Sequence, residues 1–161
     1  MGFEGEIVVS SFVGKGVFTR EWAELMDVLD RLIEIVNGTG NYPLLLKKGY
    51  LGEIESFVIY PLPGSKDTQV YMDGTKDSDL LFELAMKSKD GEQLERTLWM
   101  IQNQLDNLNE MKSKTNSFEF DKLTINSKPY INSADEQGWL VFLLDITISI
   151  TTLKEETTHG I

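Results

Sequence analysis

The chain contains no cysteine, which excludes disulfides, thiolate nucleophiles and thiolate metal sites. Histidine is almost as scarce. The single one, His159, stands in the stretch 154–161, read here as a mobile tail that positions no catalytic group. A Ser–His couple or a histidine metal centre therefore finds no support. Positive charge is also short: 15 Lys and Arg face 26 Asp and Glu, a net −11 over 161 residues. Such a chain is repelled by phosphate backbones, so direct sequence-specific nucleic-acid binding is not expected. The lysines form isolated pairs (Lys47 with Lys48, Lys87 with Lys89, Lys112 with Lys114), not a basic face. No apolar run approaches the roughly 20 residues of a membrane-spanning helix, and no membrane partner is expected. Glu4 and Glu6 stand where a secretory leader carries positive charge, and Glu6 breaks the myristoylation pattern after Gly2.

What is present is a scaffold. From Leu140 to Ile150 every even position is large and apolar (Leu140, Phe142, Leu144, Ile146, Ile148, Ile150). A strand turns successive side chains to opposite faces, so one face of this segment is continuous core. The odd positions begin with Trp139, Val141 and Leu143 and turn polar at Asp145, Thr147, Ser149 and Thr151. Earlier, Trp22, Leu25, Met26, Leu29, Leu32, Ile33 and Val36 recur at helical spacing. Thr19 is placed to cap that helix, and Asn37 with Gly38 to stop it. Glu24, Asp27, Asp30, Arg31 and Glu34 occupy its other side, read as a solvated face. Extended segments follow at 43–46, 53–60, 68–72 and 79–87, the last with Leu80, Phe82, Leu84 and Met86 on one face. Asp90 predicts the cap of a second helix, with Gln93 three residues on and a stripe of Leu94, Leu98, Ile101, Leu105 and Leu108. Residues 118–125 return to strand, and the phase break between Phe118/Phe120 and Leu123/Ile125 predicts a bulge. Residues 127–137 read as a long polar loop.

The expected fold is α+β: an antiparallel sheet with two amphipathic helices packed on one face. Residues 1–18 read as an N-terminal arm or edge strand, 19–153 as one α+β domain, and 154–161 as the tail.

No catalytic residue, metal site or cofactor emerges. Asp73, Thr75, Asp77 and Asp79 offer oxygens at alternate positions, but Ser78 and Leu84 stand where a calcium loop needs Gly and Glu. A hairpin turn at Asp73 and Gly74 accounts for them. Gly14, Lys15 and Gly16 lack the strand and the closing Lys-Ser/Thr of a phosphate loop. Trp22, Trp99 and Trp139 each lie on or beside an apolar stripe and read as core or interface packing.

The order of elements carries a resemblance. A strand at 79–87 runs directly into a helix at 90–111, and an acidic loop (Asn132, Ser133, Ala134, Asp135, Glu136, Gln137, Gly138) leads into the closing strand 139–151. Preceded by an amphipathic helix, this order resembles the tail terminator and minor capsid, or head–tail joining, proteins of long-tailed bacteriophages and prophages, over residues 19–153. The resemblance implies a non-enzymatic structural virion protein. It would form a homo-oligomeric ring, commonly a hexamer, that caps the tail tube, stops its polymerisation and joins tail to head. Its partners would be its own copies, tail-tube proteins and head-connector proteins, and its place the tail–head junction, after assembly in the bacterial cytoplasm. Loops carry such contacts, and Tyr130, Asp135, Glu136 and Trp139 are the interface candidates. The alternative is a small intracellular ligand-binding or regulatory α+β domain with a pocket near Trp99 or Trp139. A metal-dependent hydrolase is a third reading, without a core histidine to serve it.

Overall fold

Two helices and seven strands follow one another in the computed structural model, which describes residues 20–126, 130–133 and 136–153. Helix α1 spans Arg20–Thr39 and α2 spans Gly91–Asp106. The strands are β1 (Lys47–Lys48), β2 (Ser56–Pro61), β3 (Lys66–Val70), β4 (Lys76–Ser88), β5 (Phe118–Ile125), β6 (Tyr130–Ser133) and β7 (Leu140–Thr152).

The architecture grows from β4 and β7, each 13 residues long and paired antiparallel along their whole length, from Lys76 opposite Thr152 to Ser88 opposite Leu140. Shorter strands pair with the outer edge of each. Along β4, β3 takes the stretch near Lys76 and β2 the stretch from Phe82 to Lys87. Along β7, β5 takes residues 146–152 and β6 residues 140–143. Every pairing is antiparallel except that of β1 with β2, which is parallel and only two rungs long.

Register lines up the core. Phe57, Met86 and Phe142 share one row across β2, β4 and β7, and Ile59, Leu84 and Leu144 the next. Phe82, Ile146 and Ile125 form the row after that, across β4, β7 and β5. The buried stripes of both helices (Val28, Leu29, Leu32 and Val36; Leu94, Leu98, Ile101 and Leu105) join the same cluster as this face. Each large side chain so buried contributes about 2 kcal/mol by leaving water. The fold is the α+β arrangement expected, with the alternation of β7 placing all of its even positions between Phe142 and Thr152 inside.

Several boundaries move. The segment 43–46 is not a strand; only Lys47 and Lys48 pair. Helix α1 continues past Asn37 and Gly38 to Thr39, and Asn37 instead clamps Leu46 by donating to its carbonyl and accepting from its N–H. Helix α2 stops at Asp106, five residues before Met111, where Asn107 turns its backbone N–H onto Asn103 and Leu105. The cap at Asp90 forms, accepting from the Gln93 N–H at 3.2 Å, but the reciprocal contact does not. Ser88 bonds the Gln93 side chain and accepts from the Asp90 N–H in its place. The bulge in β5 falls between Phe120 and Lys122 as the phase break requires. The polar stretch 127–137 is not wholly a loop: Tyr130–Ser133 pair with β7. Thr19, the arm 1–18 and the tail 154–161 lie outside the described residues.

Candidate interaction surfaces

The residues after α2 are held in place by α1. The carboxylate of Asp27, read from sequence as solvated, is only 6% exposed. It accepts from Ser113 Oγ (2.5 Å), the Lys114 N–H (3.1 Å), Thr115 Oγ1 (2.8 Å) and Ser117 Oγ (2.9 Å), with the Thr115 N–H at 3.4 Å. Burial alone raises its pKa, but these donors outweigh that and hold the carboxyl below its ordinary value. One and two turns further along the helix, Arg31 donates to the Lys112 carbonyl (2.6 Å) and Glu34 pairs with Arg31 and Lys114. The column Asp27, Arg31, Glu34 thus fastens residues 112–117, which then enter β5. Glu24, also assigned to the solvated face, is buried at 7%.

A hairpin projects at the β3–β4 end. All five residues of β3 are exposed, and the tip carries Val70, Tyr71 and Met72, the last fully exposed. Gly74 adopts φ +94 there, a backbone that L side chains rarely take, and donates to the Tyr71 carbonyl. The carboxylates that suggested a calcium loop have local partners instead. Asp73 accepts from the Thr75 N–H and hydroxyl, Asp77 from Tyr71 and Thr151, and Asp79 from Ser149. Among the described residues no cluster of acidic or histidine side chains has metal-holding geometry.

The sheet face away from the core is polar and lined by Asp77, Asp79, Glu83, Asp145, Thr147, Ser149 and Thr151. Beside the hairpin it carries a shallow groove of about 580 Å³ between Thr68, Tyr71, Asp79, Glu119, Lys122 and Thr151. Further along, Tyr60, Glu83 and Asp145 stand side by side on β2, β4 and β7.

Of the four interface candidates, Tyr130 lies in β6 opposite Leu143, Glu136 is exposed in the turn before β7, and Asp135 lies outside the described residues. Trp139 is half-buried, with the ammonium groups of Lys87 and Lys89 each 5.0 Å from its ring centroid. These cations clad the indole and fix the start of β7 beside the end of β4. Of the core-or-interface reading of the tryptophans, the core half fails for Trp99, which is 70% exposed, while Trp22 and Trp139 are half-buried. Trp99 sits one residue past the buried Leu98, on the outward side of α2.

Sequence reasoning missed Asp27 and the Glu83–Asp145 pairing. A signal existed for the first, because Ser113, Lys114, Thr115 and Ser117 offer a run of donors in need of an acceptor. For the second, Glu83 sits between Leu81 and Ala85 and Asp145 between Leu143 and Thr147, acids whose immediate same-face neighbours along each strand are uncharged.

The molecule is thus an α+β domain whose exposed chemistry lies on loops, a hairpin and one sheet face. The sequence profile of the bacteriophage tail terminator proteins matches residues 35–152, from the last turns of α1 to the end of β7, and the chain belongs to that family. The family is structural, and membership makes the chain a virion component. No curated protein matches the chain.

Proposed function

We propose that the protein closes into a homo-oligomeric ring, a hexamer, that caps the tail tube, stops its polymerisation and presents a surface to the head connector. The observation that carries this reading is the family match over residues 35–152. Exposed apolar side chains at two separate places support it: Leu45, Tyr50 and Ile54 around β1, and Val70, Tyr71 and Met72 on the hairpin. A ring contact joins two different surfaces of successive copies, and closes when the rotation between them returns to the start. The net charge of −11 suits a conduit that lets DNA slide past without gripping it. Tyr130, Asp135, Glu136 and Trp139 form the contact surface toward neighbouring rings, with tail-tube and connector proteins as partners and the tail–head junction as the place of action. Nothing in this function calls for catalysis, a metal or a cofactor.

Native mass spectrometry of the full chain, alone and with short tail tubes, tests the reading. A closed oligomer and tubes of arrested length are expected. A monomer that neither assembles on tubes nor limits their growth refutes it. Replacing Tyr130, Asp135 and Glu136 by Ala together should abolish tube capping while the chain stays folded, and normal capping would remove these residues from the contact surface. The ligand-binding alternative places its pocket near Trp99 or Trp139, and neither residue lines the groove described above.

A further inference from the structure

The row Tyr60–Glu83–Asp145 crosses three strands on the open face of the sheet. Tyr60 is the register partner of Glu83, and Glu83 that of Asp145. The Tyr60 hydroxyl donates to Glu83 Oε1, and the Tyr50 ring stacks on Tyr60 with centroids 4.7 Å apart. Glu83 and Asp145 stand directly opposite each other on β4 and β7, two carboxyl groups side by side on one face. Two ionised carboxylates so placed repel and are both acceptors, so a hydrogen bond joins them when one bears a proton. A second observation agrees: Asp145 Oδ1 is buried and finds no donor among the described residues' ordinary hydrogen-bonding groups. A proton on Glu83 supplies one.

We infer that Glu83 carries a proton that it shares with Asp145, and that this proton fastens β4 to β7 on the open face.

The surroundings favour retention. On this face the pair's neighbours along β4 are Leu81 and Ala85, and along β7 Leu143 and Thr147. On β2 the facing groups are Tyr60 and, stacked on it, Tyr50; on β5, Thr124 lies opposite Thr147. The nearest charges along the strands are Asp79 and Lys87, each four residues from Glu83 on β4, and on β5 Lys122, opposite Ser149. Among the described residues no Lys or Arg forms an ion pair with either carboxyl. Burial first, and then the contact with Asp145, push the Glu83 carboxyl up from 4.5 to about 7, against the opposing hydrogen bond from Tyr60.

The sign follows from linkage. Between 4.5 and about 7 the folded chain keeps a proton that the unfolded chain gives up. The pair's contribution to stability is therefore complete at the acid end and is lost as pH rises through about 7. A surface that covered this row would take up protons on binding, because a second charge there would be buried without a partner.

Denaturant titrations of the full chain and of Glu83→Gln, from about pH 5 to about pH 8, provide the test. The Gln amide donates to Asp145 as the protonated acid does, but does not titrate. The unfolding constant of the unaltered chain should rise across this interval about tenfold to a hundredfold more than that of Glu83→Gln, solvent screening included. If Glu83→Gln does not fold, the carboxyl carbon of Glu83, followed by NMR in the unaltered chain, decides the matter. A midpoint near 7, lowered in Asp145→Asn, supports the shared proton. A midpoint at the ordinary glutamate value, or parallel pH profiles for the two chains, overturns it.

Discussion

Replacing Asp27 by Ala removes the acceptor for four hydrogen bonds of 3.1 Å or less, from Ser113, Lys114, Thr115 and Ser117. A bond to a charged acceptor is worth about 1.5–3 kcal/mol net, yet the four cannot be summed, because the donors lie on a surface segment where water replaces part of what is lost. The cost should therefore be about 3 kcal/mol, a large share of the stability of a domain this size. Asp27→Asn, which keeps one acceptor oxygen but brings an NH₂ group against donors, should cost about 2 kcal/mol. The damage should be local. The Lys114 amide, bonded to Asp27 Oδ1, should exchange faster by a larger factor than the core amides of β7. Acid should reproduce the effect. With its pKa held below the ordinary value, Asp27 contributes stability above the unfolded-state value of 3.8 that is lost as pH falls through the folded one. Urea titration and amide exchange read both consequences. A loss below about 0.5 kcal/mol, with the protection of Lys114 unchanged, would refute the claim that Asp27 fastens 112–117.

Two further outcomes follow from packing and capping. Phe142→Ala, at a fully buried ring that meets Phe57 edge-on at 6.2 Å, should destabilise by about 3–5 kcal/mol in urea titration. Asp90→Ala removes the cap of α2 and should cost about 1 kcal/mol, visible as a lower thermal midpoint; Asp90→Ser should restore most of it.

Local pattern carried much of the architecture. The alternation from Leu140 to Ile150 names the core face of β7, and the phase break in β5 locates its bulge, because strand periodicity is a property of consecutive residues. Asp90 is legible as a cap for the same reason: cap and capped N–H are three residues apart. The interface candidates are a different matter: Tyr130 and Glu136 lie in a polar segment with no periodicity to read, and the pairing of 130–133 with β7 depends on a partner strand ten residues on.

By itself the sequence determined that the chain has two amphipathic helices and a sheet with one continuous apolar face. It also determined that the chemistry of cysteine is absent and that charge is strongly negative. These are statements about composition and about neighbours within one turn or one pleat. The tertiary structure alone decided which polar residues leave water. Asp27 meets Ser113 across 86 positions and Ser88 meets Glu55 across 33, so no local period can announce either contact. Glu83 and Asp145 face each other because β4 and β7 pair in one register and not the next, and a slip of a single residue would send one of them to the core side. Register is set by the whole of both strands packing at once, and the placement of these acids follows from it.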